Sequence, residues 1–544
     1  MQLLSDLQRG AVPGLISCFS VAYLAVFLPL CLVFYQIVSQ RARRVVLLVA
    51  SYLFSFLISG KLAVFLFLST LSVHYFGIWL DRLQKDEAAL LGMSTREEKK
   101  SIRAACKKRQ LGVLLFAVSL HLCVLLTLKY TPFFAQNINH LLKACGASFP
   151  LKIPAFLLPV GISFYTLQAI AYLTDVYQRK ITADGNLLRL ALFLSFFPQI
   201  AEGPICRYSQ TAQQLYAAKR IRYEAFLLGS WRILFGLFKK LLVADRLNLF
   251  VKTVFDAKEK NDGAVIAFAA LCFTVQLYMD FSGSMDAALG TAQILGIALP
   301  ENFARPFFSR SVSEFWQRWH ITLGTFFKDY VFFPLSMTKP LKKLTAKARR
   351  HIGNHFGPLL GGSVALFCVW LCNGLWHGAG WFYIAFGMYH FCLILCGNLT
   401  MPLSRFLLKK LHINAGGLPW QLFQTARTFV LVVIGELIFR SNGLSIAAGM
   451  LRRIFTSFHP QTLFDGTLVQ NGLDRMDLAA VAAALCIVFA VSFCNEKGHS
   501  VRAWLMRRPL PVRFAVLHAA ILAIIVFGAY GIGYVPVDPM YANF

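Results

Sequence analysis

The stretch GPLLGGSVALFCVWLCNGLWHGAGWFYIAFGMYHFCLILCGNLT, residues 357–400, contains no Asp, Glu, Lys or Arg. It reads as two apolar runs, 357–376 and 380–400, meeting at a titratable residue, His377. A helix needs about 20 consecutive apolar residues to cross the hydrocarbon core of a bilayer, and each run is about that long. Runs of the same kind recur at 12–38, 44–60, 61–80, 111–130, 155–177, 187–201, 224–243, 264–280, 283–299, 420–440, 478–495 and 512–531. The 544 residues are 57% hydrophobic and only 15% charged, where a soluble chain carries about a quarter charged residues. These numbers exclude a soluble multidomain protein. They predict an all-α polytopic membrane protein with roughly 11–14 transmembrane or re-entrant helices, the shorter and Gly/Pro-interrupted runs being the re-entrant ones.

The net charge of +29 is concentrated in a few loops: Arg41, Arg43 and Arg44, REEKKSIRAACKKR at 96–109, Lys339 to Arg350, and Lys497 to Arg513. Short loops rich in Lys and Arg stay in the cytoplasm, so these clusters predict the cytoplasmic face of an inner (cytoplasmic) membrane. No basic face interleaves with stacking aromatics, so nucleic acid is not an expected partner; the lipid bilayer is. The first apolar run reads as a retained span rather than a cleaved signal. The thirteen cysteines lie mostly inside apolar runs without paired spacing, which suits packing rather than a disulfide framework.

Four regions are less apolar: 81–110, 202–223, 300–356 and 441–477. The first is expected to be a basic cytoplasmic connector and the last an extracytoplasmic loop. Within the third, Trp316, Trp319, Leu323, Phe326, Phe327 and Tyr330 recur at three- and four-residue steps, which predicts one amphipathic helix of about 22 residues from Glu314. Ser311 or Ser313 would cap it, Glu314 and Arg318 would pair at i,i+4, and His320 would lie on its apolar side.

Of twelve histidines, His377 carries the strongest expectation. An ionisable side chain inside a span ordinarily faces a cavity and works there. Imidazole titrates near neutrality and can take a proton from a hydroxyl, which is general-base chemistry. Gly374, Gly378 and Gly380 remove side chains and loosen the helix, so that a substrate is expected to approach closely, and Trp376 and Trp381 offer flat, water-excluding walls. The alternative is a histidine hydrogen-bonded across helices. His377 lies 20 residues beyond Gly357, roughly 30 Å along a straight helix, so a water-soluble donor would need a tunnel to reach it. His390 could line the same cavity or bond a neighbouring carbonyl. His351 and His355 have i,i+4 spacing, but no carboxylate accompanies them and Gly353 separates them, so no metal site is expected.

SEFWQRWHITLGTFFKDYVFFPLS at 313–336 and NGLWHGAGWFYIAFGMYH at 373–390 resemble the two signature blocks of the membrane-bound O-acyltransferase (MBOAT) family. The likeness is greatest to its bacterial branch of alginate O-acetylation and teichoic-acid D-alanylation proteins. LPVGISFYTLQAIAYLTDVYQ at 158–178, FFPQIAEGPICRY at 196–208, LPENFARPFFS and the ending DPMYANF agree. FSGSMDAALG departs, with Ser284-Met285 where relatives often have Tyr-Ser, and Asp286 is therefore read as structural. The resemblance implies a single membrane domain over 1–544 with a catalytic core at 155–400, its helices ringed around a central funnel. It implies catalytic roles for His377 and His320, and substrate-binding roles for Trp316, Trp319, Trp376, Asn373 and Arg207. It implies no bound cofactor. The acyl donor would be acetyl-CoA or an acylated phosphopantetheine carrier protein on the cytoplasmic side, either drawn by the basic loops. The acceptor would be an extracellular polymer, reached directly or through an extracytoplasmic partner transferase. From composition alone a transporter or flippase stays open, since broken helices and intramembrane polar residues suit it equally.

Overall fold

Inside a bilayer no water is available to pair with backbone N–H and C=O groups, so an apolar chain must satisfy them within its own helices. The structure, a computed structural model, describes residues 19–146, 150–154 and 156–530. Expectations for the first eighteen residues and for the DPMYANF ending lie outside the described residues. The described residues form helices and no strand, with a single isolated bridge between Phe303 and Trp319. Among the described residues, eight helical stretches are long and apolar enough to cross a membrane, and Ala22–Ile37 is a shorter apolar helix.

The chain separates into two compact units. Among the described residues, one runs up to Ser230 and includes Ala287–Pro300; the other comprises Trp231–Asp286 and residues 301–530. In the first unit the runs 44–60 and 61–80 become helices Gln40–Ser59 and Val64–Met93, joined by a short turn at Gly60. Glu98–Ala144 follows. The buried Glu87 carboxylate accepts from Gln110 at 2.7 Å and from Arg179 at 2.5 Å, which compensates the cost of burying charge. The run 187–201 breaks at Phe196 into helices Leu187–Ser195 and Phe197–Ile200.

Three sequence expectations need correction. The runs 264–280 and 283–299 are one helix, Gly263–Ile294. The polar stretch that lowered hydropathy between them stays helical because lysines satisfy it: Lys240 reaches Asp280 at 2.8 Å, and Lys239 reaches Ser282 at 2.9 Å and Asp286 at 2.7 Å. Asp286 also accepts from Arg232 at 2.8 Å, in keeping with a structural role.

Second, the expected amphipathic helix from Glu314 is broken. It consists of Val312–Arg318, Ile321–Phe327, a π turn at Lys328–Phe332 and Phe333–Ser336. The start is as expected: Ser311 accepts from the Glu314 N–H at 3.1 Å, and Glu314 pairs with Arg318 at 2.7 Å. At Trp319 the chain becomes extended and His320 turns left-handed, φ 47° and ψ 50°. Backbone pairing holds the break open. Ala304 donates to the Arg318 carbonyl at 2.9 Å, and Ile321 to that of Asn302 at 3.0 Å.

Third, the glycines around His377 serve packing rather than access. A Cβ on Gly374 would sit 2.5 Å from the Tyr383 carbonyl oxygen, and one on Gly378 would sit 2.1 Å from the Tyr383 ring. These glycines let helix Trp381–Lys410 pack directly against helix Lys339–His377. The latter also folds back on itself at Gly353, φ 83° and ψ 180°, a backbone region essentially reserved for glycine. His351 and His355 consequently flank a kink, and the His355 Nε2 lies 3.0 Å from the Asn398 carbonyl.

Candidate active site

The break at Trp319 and the end of helix Lys339–His377 bring the two histidines to one place within the second unit. His377 is the last residue of its helix. Both are buried, at 2% exposure for His320 and 5% for His377. The Trp376 ring touches both, 5.5 Å from the His320 ring and 5.1 Å from that of His377. Phe439 and Phe386 close the far side of His377 at 5.3 and 6.0 Å, and Phe281 packs on His320 at 4.9 Å.

Asn302 fixes the orientation of His320. Its Oδ1 accepts from the Thr322 N–H at 3.1 Å and hydroxyl at 2.9 Å. The His320 Nδ1 lies 3.2 Å from the same oxygen, so Nδ1 carries the proton and Nε2 keeps the lone pair. A left-handed non-glycine residue costs of the order of 1–3 kcal/mol and such strain collects at functional sites. Here the antiparallel pairing of 302–304 with 318–321 and the Asn302 hub hold His320 in that conformation.

Asn373, one turn before His377 on the same helix face, is buried. Its Oδ1 and the Trp316 Nε1 have no hydrogen-bond partner among the described residues, and neither does either ring nitrogen of His390. His390 makes no bond to a carbonyl. It lies in an aromatic box with Trp316 at 4.9 Å, Phe386 at 4.8 Å and Trp370 at 5.5 Å. Buried polar atoms are normally paired, so these unpaired ones mark the pocket between the two signature blocks.

The structure thus gathers His320, His377, Trp376, Asn373 and Trp316. Trp319 packs instead on Phe303, Phe315 and Tyr278 at 5.1, 5.4 and 5.8 Å. Trp381, expected as a wall, is 56% exposed. Arg207 belongs to the first unit, where it is buried and starts helix Tyr208–Ala217. Sequence reasoning did not single out Asn302, Phe386, Phe439 or Glu436, the last a carboxyl buried in helix Leu418–Arg440. Asn302 was within reach, being one of the two polar residues, with Glu301, of the LPENF stretch; the two phenylalanines carry no local signal.

A polytopic helical membrane protein with two buried histidines packed on one tryptophan is the class that fold and site define. Residues 181–423 match the family model of the membrane-bound O-acyltransferases. The chain is 32% identical to the probable alginate O-acetylase AlgI of Pseudomonas syringae pv. tomato, over 86% of this chain and 79% of that one. It is 33% identical to the peptidoglycan O-acetyltransferase of Helicobacter pylori, over 48% and 50% of the two chains. It is 30% identical to the teichoic acid D-alanyltransferase of Bacillus subtilis, over 49% and 70%. The chain belongs to the membrane-bound O-acyltransferase family. It is a multi-pass membrane O-acyltransferase, and the transporter alternative falls.

Proposed function

We propose that this enzyme moves a small acyl group, acetyl or D-alanyl, from a cytoplasmic thioester to hydroxyls of an extracellular polysaccharide or teichoic acid, working in the bacterial inner membrane. The observation that carries this reading is the pair of buried histidines that both pack on Trp376. In the proposed step the acceptor hydroxyl gives its proton to a ring nitrogen of His377. The oxygen then attacks the thioester carbonyl, the C–S bond breaks as the C–O bond forms, and the departing thiolate takes a proton to become the free thiol. His320, held by Asn302, sits on the donor side and hydrogen-bonds the reacting group through Nε2. Asn373 and Trp316 orient the substrate. The donor is acetyl-CoA or an acylated phosphopantetheine carrier protein, and the acceptor is reached directly or through an extracytoplasmic partner transferase.

Thiol release tests the reaction. Purified protein in lipid vesicles, given acetyl-CoA or an acylated carrier protein together with a polymer acceptor, should free thiol in step with ester formed on the polymer. Polymer esterified without release of thiol from either donor would overturn the thioester reading.

A further inference from the structure

The second unit also holds a cavity of about 770 Å³ that neither catalytic histidine lines. One side of it is apolar, from Val491 of helix Arg475–Glu496 and from Leu517, Ala520 and Ala523 of helix Leu510–Phe527. Both helices are strongly apolar and expose much of their remaining surface, as Phe489, Leu522 and Ile525 do. In a membrane that surface meets lipid tails. The alanines leave a lane where larger side chains would fill the wall.

The polar part of the cavity is charged. Arg232 reaches Asp286 at 2.8 Å and Glu301 at 2.7 Å, Lys239 holds Asp286 at 2.7 Å, and Arg305 pairs with Glu496. Arg502 also lines the cavity and is half-buried, yet it has no hydrogen bond or ion pair among the described residues. Burial, and then the like charge of Arg232, disfavour its charged form, while Asp286 and Glu301, both engaged by Arg232, offset this only in part. An anion bonded to Arg502 would offset the remainder. The excess cation and the apolar lane together describe an amphiphile with a negative head.

We propose that this cavity binds an anionic membrane phospholipid, with its phosphate at Arg502 and an acyl chain along Leu517, Ala520 and Ala523. The basic cluster 497–513 around Arg502 belongs on the cytoplasmic side by the positive-inside rule, where anionic lipids are concentrated. Asn302 both lines the cavity and accepts from His320, so the lipid bears on the residue that positions that histidine. The inference is independent of the identity of acyl donor and acceptor.

The test uses the delipidated full-length protein in detergent. Thermal unfolding is followed with added phosphatidylglycerol, phosphatidylcholine or inorganic phosphate. A ligand that binds only the folded state raises Tm with concentration. Phosphatidylglycerol should give a saturable rise beyond that with phosphatidylcholine, and inorganic phosphate should give none. Arg502→Gln should abolish the difference, and so should Ala520→Trp, which fills the chain lane. Arg508→Gln should keep it, since that guanidinium stacks on Trp504 at 4.2 Å. Native mass spectrometry of the wild type should show a retained phosphatidylglycerol, giving a readout that needs no variant. Equal shifts with the two lipids, a shift reproduced by phosphate alone, or full phosphatidylglycerol preference in both cavity variants would overturn the proposal.

Discussion

At the scale of single residues, the left-handed turn at His320 sets the terms. Asn tolerates this conformation better than most residues, and its amide can hydrogen-bond Asn302 as the imidazole does. Alanine offers neither property. His320→Asn should therefore retain more acyl transfer than His320→Ala, measured as ester on the polymer at equal protein level in the membrane fraction. Equal loss in the two variants would mean that proton transfer, not hydrogen bonding, is what His320 supplies. His377 has the stricter requirement. His377→Ala should leave a folded, inserted protein with transfer reduced on the order of a hundred- to ten-thousand-fold, the usual cost of losing a general base. His377→Gln keeps volume and a hydrogen bond but accepts no proton at neutral pH, so it should fail almost as badly. Near-normal acylation in the Gln variant would remove His377 from the chemistry, because a packing histidine tolerates Gln better than Ala.

At the scale of elements, the site depends on two helices meeting closely enough to place His377 beside Trp376, Phe386 and Phe439. Gly374 and Gly378 both permit that approach, against different atoms. Gly378 faces the Tyr383 ring, which can be shortened, whereas Gly374 faces the Tyr383 backbone oxygen, which cannot. Gly378→Ala and Gly374→Ala should each destabilise by roughly 1–3 kcal/mol, the usual range for overpacking. Adding Tyr383→Ala should recover much of the loss at 378 and none at 374. The measurement is Tm in detergent for the singles and doubles. Rescue of both, or of neither, would contradict the packing described. The break at 319–320 teaches the complementary lesson. The three- and four-residue spacing of Trp316, Trp319, Leu323 and Phe326 was a real helical signal, and two short helices form there. The pairing with 302–304 interrupted it, and local periodicity cannot report a partner on another segment of the chain.

At the scale of the molecule, the charged loops decide orientation. Lys100 and Lys343 lie in the basic segments 96–109 and 339–350 and are exposed. Lys100→Cys and Lys343→Cys should resist an impermeant external thiol reagent in intact cells and react once the cells are opened. Ready labelling of both in intact cells would invert the topology.

The sequence by itself determined the class. Apolar runs near the length of a bilayer fix helices wherever they fall, because unpaired backbone in hydrocarbon is too costly to leave. A titratable His377 at the end of one such run, and the blocks around it, were enough to name the family and to nominate His320 and His377. Only the tertiary structure decided how those residues are held. The merging of two runs into Gly263–Ile294 rests on Lys239 and Lys240, which neutralise its polar middle from another helix. The conformation of His320 rests on Asn302, and the box around His390 on Trp316 and Trp370. Each of these is a contact between residues far apart in the chain, and its energy exists only once the helices are packed.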